Sequence, residues 1–362
     1  MRLAIGLCCA LLMLPARGAV GWELPGAEDG TRQAITPPWG VQMWMWEDDI
    51  NTAQAVRDIV NGCAQYDLPL RAVLIDSPWA TAYNNFIFDE QRYPNPQQMI
   101  EELHARGIKV VFWMTCMVNT REGKADARGE PSEDLYALAK EKGYLCNDGV
   151  PVKWWKGEGA FVDYTNPEAV EWWHGLMDRA LKMGVDGWKV DGAAELFPLS
   201  GGYGKGGPIS VMQYVDMYYG DTYRHLISRN PEGVTMVRSV DPEDVGYTGR
   251  HALREVAPIS WVGDQKHEWS EQGLLEALSS SFLAMDHGYA VIGSDIGGYS
   301  RTGEGPLLPR TLYLRWMQWS AFMPFFLNGG HDEHRPWKYD EQFLRIFRKF
   351  AWLHNELVPF FY

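Results

Sequence analysis

Apolar residues run along this chain in short continuous stretches, separated by longer segments in which they recur at helical spacing. The continuous runs occupy residues 40–46, 70–76, 109–118, 184–192, 233–240, 259–264, 289–296 and 323–327. Helical spacing marks 52–65, 96–105, 166–183, 210–228, a piece around 250–256, 271–286, 311–322 and 341–357. In 166–183, for example, Val170, Trp173, Leu176, Met177, Ala180 and Leu181 fall on one face. Strands that are apolar throughout, rather than alternating, belong to a parallel sheet covered by helices on its outer face. Eight such units predict an α/β fold, a closed (β/α)8 TIM barrel. No Gly-x-Gly-x-x-Gly follows the first run, which argues against an open dinucleotide-binding sheet. Residues 119–165 are long, charged and punctuated by glycine. They predict an enlarged loop after strand 3 at the functional end of the barrel.

The first nineteen residues break this pattern. A basic start (Met1-Arg2), an apolar run from Leu3 to Leu14 and small residues up to Ala19 are the three parts of a secretory signal peptide. The apolar run is too short to span a bilayer. The expected organisation is therefore a signal at 1–19, a tether at 20–37 and a catalytic barrel at 38–362, in a secreted or periplasmic protein. Beyond the signal, Cys63, Cys116 and Cys146 stand at wide spacing; three is neither a disulfide framework nor a zinc signature, and they read as buried thiols. The net charge of −14, which becomes −16 once Arg2 and Arg17 leave with the signal, disfavours nucleic acid and anionic membranes as partners. Seventeen tryptophans supply flat faces suited to sugar rings, although most belong to the core.

Candidate chemistry sits at the strand ends. Strand two ends at Asp76, strand four at Asp191, strand six at Asp264 and strand seven at Asp295; strand five carries Arg238, and His331 follows strand eight. In a barrel these ends converge on one pocket. A single aspartate there is equally a helix cap, but four with an arginine and a histidine are harder to explain that way. Clustered carboxylates serve glycoside hydrolysis, as nucleophile and proton donor, or hold a divalent metal as in enolase-type barrels. Trp155, Trp188, Trp261, Trp269 and Phe325 neighbour the acids and favour a sugar, while Lys189 and Arg238 would compete with a metal.

These residues also fall in ordered motifs. Asp76-Ser77-Pro78-Trp79, Trp155 followed by Asp163-Tyr164-Thr165-Asn166-Pro167, Lys189-Val190-Asp191, Arg238-Ser239, Trp261-Val262-Gly263-Asp264, Asp295-Ile296-Gly297-Gly298-Tyr299 and His331 resemble, in order, the catalytic barrel of glycoside hydrolase family 31, the α-glucosidase and α-xylosidase family. The resemblance covers roughly residues 38–362. It implies a retaining mechanism on an α-linked oligosaccharide or glycoside, with Asp191 as nucleophile and Asp264 as acid/base. Asp76, Arg238 and His331 would hold glycone hydroxyls, and Trp155 would shape the sugar subsite. Lys189, Trp261 and Asp295 complete the substrate-binding set, and no metal or organic cofactor is implied.

The chain departs from the family pattern in three places. The family's glutamate three residues after the nucleophile is Ala194 here, with Glu195 one residue later. Residues 242–258 lack the family's Gly-x-Gln-Arg between Arg238 and Asp264. Family members also normally carry β-domains on both sides of the barrel, and the expected domain content here is the barrel alone. A transglycosylase or lyase on the same site, and a sugar-binding barrel without turnover, are the alternative readings.

Overall fold

A computed structural model describes residues 33–124, 134–192, 196–240, 252–300 and 307–362. The signal and most of the tether, Glu195 and residues 241–251 lie outside the described residues. In chain order the elements are β1 (Met43–Glu47), α1 (Ala53–Gln65), β2 (Leu70–Ile75), α2 (Pro96–Ala105), β3 (Lys109–Met114), β4 (Met117–Lys124), α3 (Leu135–Glu141), β5 (Val152–Trp154), β6 (Gly157–Phe161), α4 (Pro167–Leu181) and β7 (Gly187–Val190). The chain continues through β8 (Gly202–Gly204), β9 (Gly207–Ile209), α5 (Val211–Arg229), β10 (Val234–Val237), β11 (Ile259–Trp261), α6 (Leu274–Asp286), β12 (Ile292–Gly293), α7 (Arg310–Ser320), β13 (Phe326–Asn328) and α8 (Glu341–Phe361).

Eight of these strands form one parallel sheet in the order β12-β11-β10-β7-β3-β2-β1-β13. Its two ends meet, because Phe325 N donates to Ile292 O at 3.2 Å and Ile296 N donates to Leu327 O at 3.0 Å. The fold is the (β/α)8 TIM barrel. Helices open where the sequence supplies caps. Thr52 accepts from Ala55 N, Asn166 precedes Pro167 and accepts from Glu168 N, and Ser210 makes a reciprocal capping box with Gln213.

Strand pleating divides the core into an inner and an outer part. Trp44, Ala72, Leu74, Val111, Val234, Met236, Ile259, Trp261, Phe325 and Leu327 fill the barrel interior together with Trp39 and Trp46. The intervening residues, among them Val73, Ile75, Phe112, Trp188 and Val190, pack outward against the helices. Trp188 and Phe325 are thus core residues, whereas Trp269 is half exposed.

Several elements differ from the pattern read in the sequence. The apolar run 109–118 is two strands: β3 stays in the barrel, and β4 leaves it to form a three-stranded antiparallel sheet with β6 and β5. The described part of the enlarged loop after strand 3 is therefore a small subdomain. The glycine-rich stretch after β7 makes the hairpin β8–β9. Around 250–256 the described part is a single 3-10 turn, Arg254–Val256. Residues 33–36 of the expected tether lie against the barrel, with Ala34 N donating to Arg254 O at 3.0 Å and the Gln33 amide to Ala257 O at 3.2 Å. Cys63, Cys116 and Cys146 are buried free thiols. Among the described residues no helix is long and apolar enough to cross a membrane.

Candidate active site

The pleat that fills the barrel also builds the site. Continuing the inward phase by one step beyond the core takes Leu74 to Asp76, Lys189 to Asp191, Met236 to Arg238, Gly293 to Asp295 and Trp46 to Asp48. All of these gather at the C-terminal end of the barrel. Asp264 is out of phase, because the inward position after Trp261 is Gly263. A side chain at Gly263 would overlap the Trp261 indole nitrogen and an Asp295 oxygen. The chain turns there, and Asp264 takes a left-handed φ of 82° that brings its carboxylate back over the barrel mouth.

Asp191 is held at both ends. Its backbone N donates to Met114 O at 3.0 Å, and its carbonyl accepts from the Tyr218 hydroxyl at 3.2 Å. Trp113 Nε1 donates to Asp191 Oδ2 at 3.0 Å, while Oδ1 accepts no hydrogen bond from the described residues. Arg238 Nη2 touches Asp264 Oδ2 and stands 3.7 Å from Asp191 Oδ1; its Nη1 donates to Gly263 O at 3.0 Å. The Asp264 side chain keeps 42% of its surface open to the mouth. Withdrawal from bulk water raises its pKa, the Asp191 charge adds to the rise, and Arg238 and Lys189 oppose it without cancelling it.

Lys189 is buried, with Nζ 3.0 Å from Asp76 Oδ2, 3.8 Å from the centre of the Trp46 ring and 4.4 Å from that of Trp261. Burial alone would depress its pKa, but Asp76, Asp191, Asp264 and Asp295 outweigh it and raise it, so the ammonium persists. The other Asp76 oxygen accepts from Ser77 N at 2.7 Å. Asp295 is fully buried: Oδ1 accepts from Trp261 Nε1 at 2.6 Å and Oδ2 from Asp264 N at 3.2 Å. Burial and the nearby Asp264 charge push it up to about 7. Lys189, Asp295 and Trp261 therefore orient their neighbours from below the open surface. Trp261 also lies under Arg238, whose guanidinium carbon is 4.2 Å from the ring centre.

Trp155 sits at the turn between β5 and β6, 47% exposed, and its ring edge closes over Gly192 beside Asp191. That glycine has φ 76°, and a Cβ there would stand 2.9 Å from Leu196 Cδ1 and 3.1 Å from Trp155 Cη2. His331 lies across the mouth on a polar cavity of about 710 Å³ lined by Asp48, Asp49, Ser77, Arg92, Lys156 and Tyr299 among others. The structure thus gathers all nine residues read from the sequence at one end of the barrel. It adds Trp113, Trp46, Tyr299, Asp48 and Asp49. Asp48, Asp49 and His331 bring three donor atoms within 4.8 Å of one another. His331 Nδ1 is 2.7 Å from an oxygen of each acid.

A parallel barrel with carboxylates, one bridging arginine and aromatic walls at its C-terminal end defines a TIM-barrel protein with its candidate site at the usual face. The chain matches the glycosyl hydrolases family 31 TIM-barrel domain over residues 33–362. It belongs to that family. It is 26% identical over 350 residues to α-glucosidase 2 of Bacillus thermoamyloliquefaciens, covering 91% of this chain and 41% of the relative. It is 30% identical over 293 residues to the myogenesis-regulating glycosidase of Mus musculus, covering 78% of this chain and 37% of the relative. The chain therefore spans about two-fifths of these relatives. A Flavobacterium johnsoniae GH31 dextranase solved with isomaltotriose shares the fold, with a TM-score of 0.77, 18% identity and coverage of 91% of this chain and 41% of that one.

Proposed function

We propose that this chain is the catalytic barrel of a retaining α-glycosidase, with Asp191 as nucleophile and Asp264 as acid/base. One observation carries the reading. A single nitrogen, Arg238 Nη2, touches Asp264 and is 3.7 Å from Asp191, which limits these two carboxylate oxygens to a separation of about 6 Å. Retaining enzymes place their carboxyl groups ~5–5.5 Å apart, and inverting enzymes need about 6.5 Å or more to admit a water. In the first step Asp191 Oδ1 bonds to the anomeric carbon while the leaving oxygen departs with the Asp264 proton. In the second step Asp264 takes a proton from water, the water oxygen bonds to the anomeric carbon, and the ester to Asp191 breaks. Trp113 on Oδ2 leaves the Oδ1 lone pairs for attack.

The relatives named α-glucosidase and α-xylosidase make aryl α-glucosides and α-xylosides the first substrates to try. Export through the N-terminal signal is part of the same proposal and rests on the sequence of residues 1–19. The decisive experiment is labelling with a mechanism-based fluoroglycoside. The wild type is expected to be labelled at Asp191, and Asp191→Ala to lose both labelling and turnover; a label that persists in Asp191→Ala places the nucleophile elsewhere. Asp264→Ala should lose about 10²–10⁴-fold on substrates with poor leaving groups and much less on activated aryl glycosides.

A further inference from the structure

His331 takes its polar partners from the end of β1. Its Nδ1 lies 2.7 Å from Asp49 Oδ1 and 2.7 Å from Asp48 Oδ2. One ring nitrogen carries one hydrogen; the geometry pairs Nδ1 with Asp49, and the buried Asp48 Oδ2 stands at the same distance without meeting hydrogen-bond geometry. Asp49 is itself fixed, because its Oδ2 accepts from Asp332 N at 2.8 Å. The Tyr299 ring lies 4.6 Å from the imidazole, centre to centre, at 40°. With Nδ1 committed to the acids, Nε2 is the ring's remaining donor.

We infer that Asp48 and Asp49 are positioning residues that hold His331 as an imidazolium, so that its Nε2–H is a fixed, charged donor to a hydroxyl of the glycone. This rests on the glycosidase reading above. Asp89, Arg92 and Lys156 line the same cavity, so its wall mixes both signs of charge, and the two acids after β1 act on the sugar through His331.

The charged groups around the ring support the assignment. The Asp48 and Asp49 carboxylates, both against Nδ1, push His331 up to about 10 against the effect of its burial. From the segment after β13, His334 is neutral, held down to about 3 by burial, and Asp332 lies 3.7 Å from His267. From the segment after β11, His267 is likewise depressed by burial. Burial and the Asp76 charge raise the pKa of Asp48, contact with His331 and Lys189 of β7 oppose that rise, and the Tyr299 hydroxyl is held neutral by burial. Arg92 and Lys156 line the same cavity, but His331 is the cation there that the two acids directly after β1 hold in contact.

The test uses the full chain with Asp48→Asn/Asp49→Asn, which keeps side-chain volume and removes both charges. The His331 C2–H resonance, assigned by its loss in His331→Gln, is titrated by NMR, and kcat/KM for a neutral aryl α-glycoside is followed from pH 6 to pH 8.5. The wild-type ring is expected to stay charged to beyond pH 9, and the double variant to titrate at least two pH units lower. The variant's kcat/KM, taken relative to wild type, should then fall about tenfold or more across that range, chiefly through KM. A wild-type His331 that titrates near pH 6.5 overturns the inference. A lowered titration with a pH-independent activity ratio overturns the donor role, and resonances that shift on adding Mn²⁺ or Ca²⁺ replace it with a cation site. A wild type that turns over no glycoside refutes the glycosidase reading, while the titration still decides the charge of His331.

Discussion

Replacing Lys189 with methionine removes a cation from the middle of the barrel while keeping most of the volume of its stem. The ammonium is 3.0 Å from Asp76 and lies over the rings of Trp46 and Trp261, with almost no surface in water. Breaking a buried ion pair from one side costs about 3–5 kcal/mol, because the remaining charge stays buried without compensation. Taking ~4 kcal/mol and an unfolding entropy near 2.1 cal/mol/K per residue over the barrel, the expected fall in Tm at neutral pH is about 6 °C. The deficit should depend on pH in a stated direction. Lys189 opposes the rise in the pKa of both Asp264 and Asp295, so without it both carboxyls hold their protons to still higher pH. An acid whose folded pKa lies above its unfolded value destabilises the folded state increasingly as pH rises through that interval. Lys189→Met should therefore be closest to wild type near pH 5 and furthest from it near pH 8. Urea denaturation at both pH values measures this, and the double variant Lys189→Met/Asp76→Asn should recover part of the loss, since both charges are then gone. A deficit under 1 kcal/mol at pH 8, or one that is the same at pH 5, would refute the reasoning.

Trp113→Phe removes the donor on Asp191 Oδ2 while keeping an aromatic ring in the wall. A hydrogen bond to a charged group contributes about 1.5–3 kcal/mol, so kcat/KM on an activated aryl glycoside should fall about 10- to 100-fold with little change in Tm; unchanged turnover would show that Asp191 is oriented by other contacts. Asp295→Asn removes a group raised from 3.8 to about 7. In the wild type the folded state keeps that extra proton between these values, so stability declines as pH rises through the interval, and this part of the decline should be missing from the variant. Parallel urea-midpoint profiles from pH 4.5 to 8 for the two proteins would show that Asp295 does not titrate as assigned.

The barrel was legible because its strands are buried on both faces and its helices carry caps, and the same regularity exposed most of the site. Asp76, Asp191, Arg238 and Asp295 each stand one inward step beyond a core position, where a polar residue has no packing explanation. Trp113 obeys the same rule and was still invisible, since an inward tryptophan within Lys109–Met114 looks like core until its N–H is seen to point at Asp191. Asp48 could have been found by counting on from Trp44 and Trp46, but it lies within Glu47-Asp48-Asp49, where three acids in a row read as a solvated turn. The subdomain of β4, β5 and β6 was hidden by short strands and interrupting glycines, whose pairing depends on contacts distant in sequence. Strand ends were overestimated at β11 and β12, where the chain leaves the ladder early to carry Asp264 and Asp295, whereas the run 323–327 begins before β13 (Phe326–Asn328) and stops one residue short of its end.

The distribution of charge at the mouth has a consequence for the two-step reaction. Six acidic groups, Asp48, Asp49, Asp76, Asp191, Asp264 and Asp295, share Lys189, Arg238 and His331, and the cations are not interchangeable. His331 answers to Asp48 and Asp49, and Lys189 is nearest Asp76. Among the described residues Arg238 alone pairs with both Asp191 and Asp264. Trp261 lies beneath Arg238 and Lys189, and Asp295 fixes it through its indole nitrogen. On the proposed assignment, the negative charge on Asp191 before attack helps to keep Asp264 protonated, as an acid must be. Once Asp191 became an ester that charge would be gone, and Arg238 would be left to Asp264. Both changes would lower the pKa of Asp264 at the moment it must accept a proton from water. On that assignment a single arginine shared by two carboxylates would account for the change of role from acid to base without any movement of the backbone.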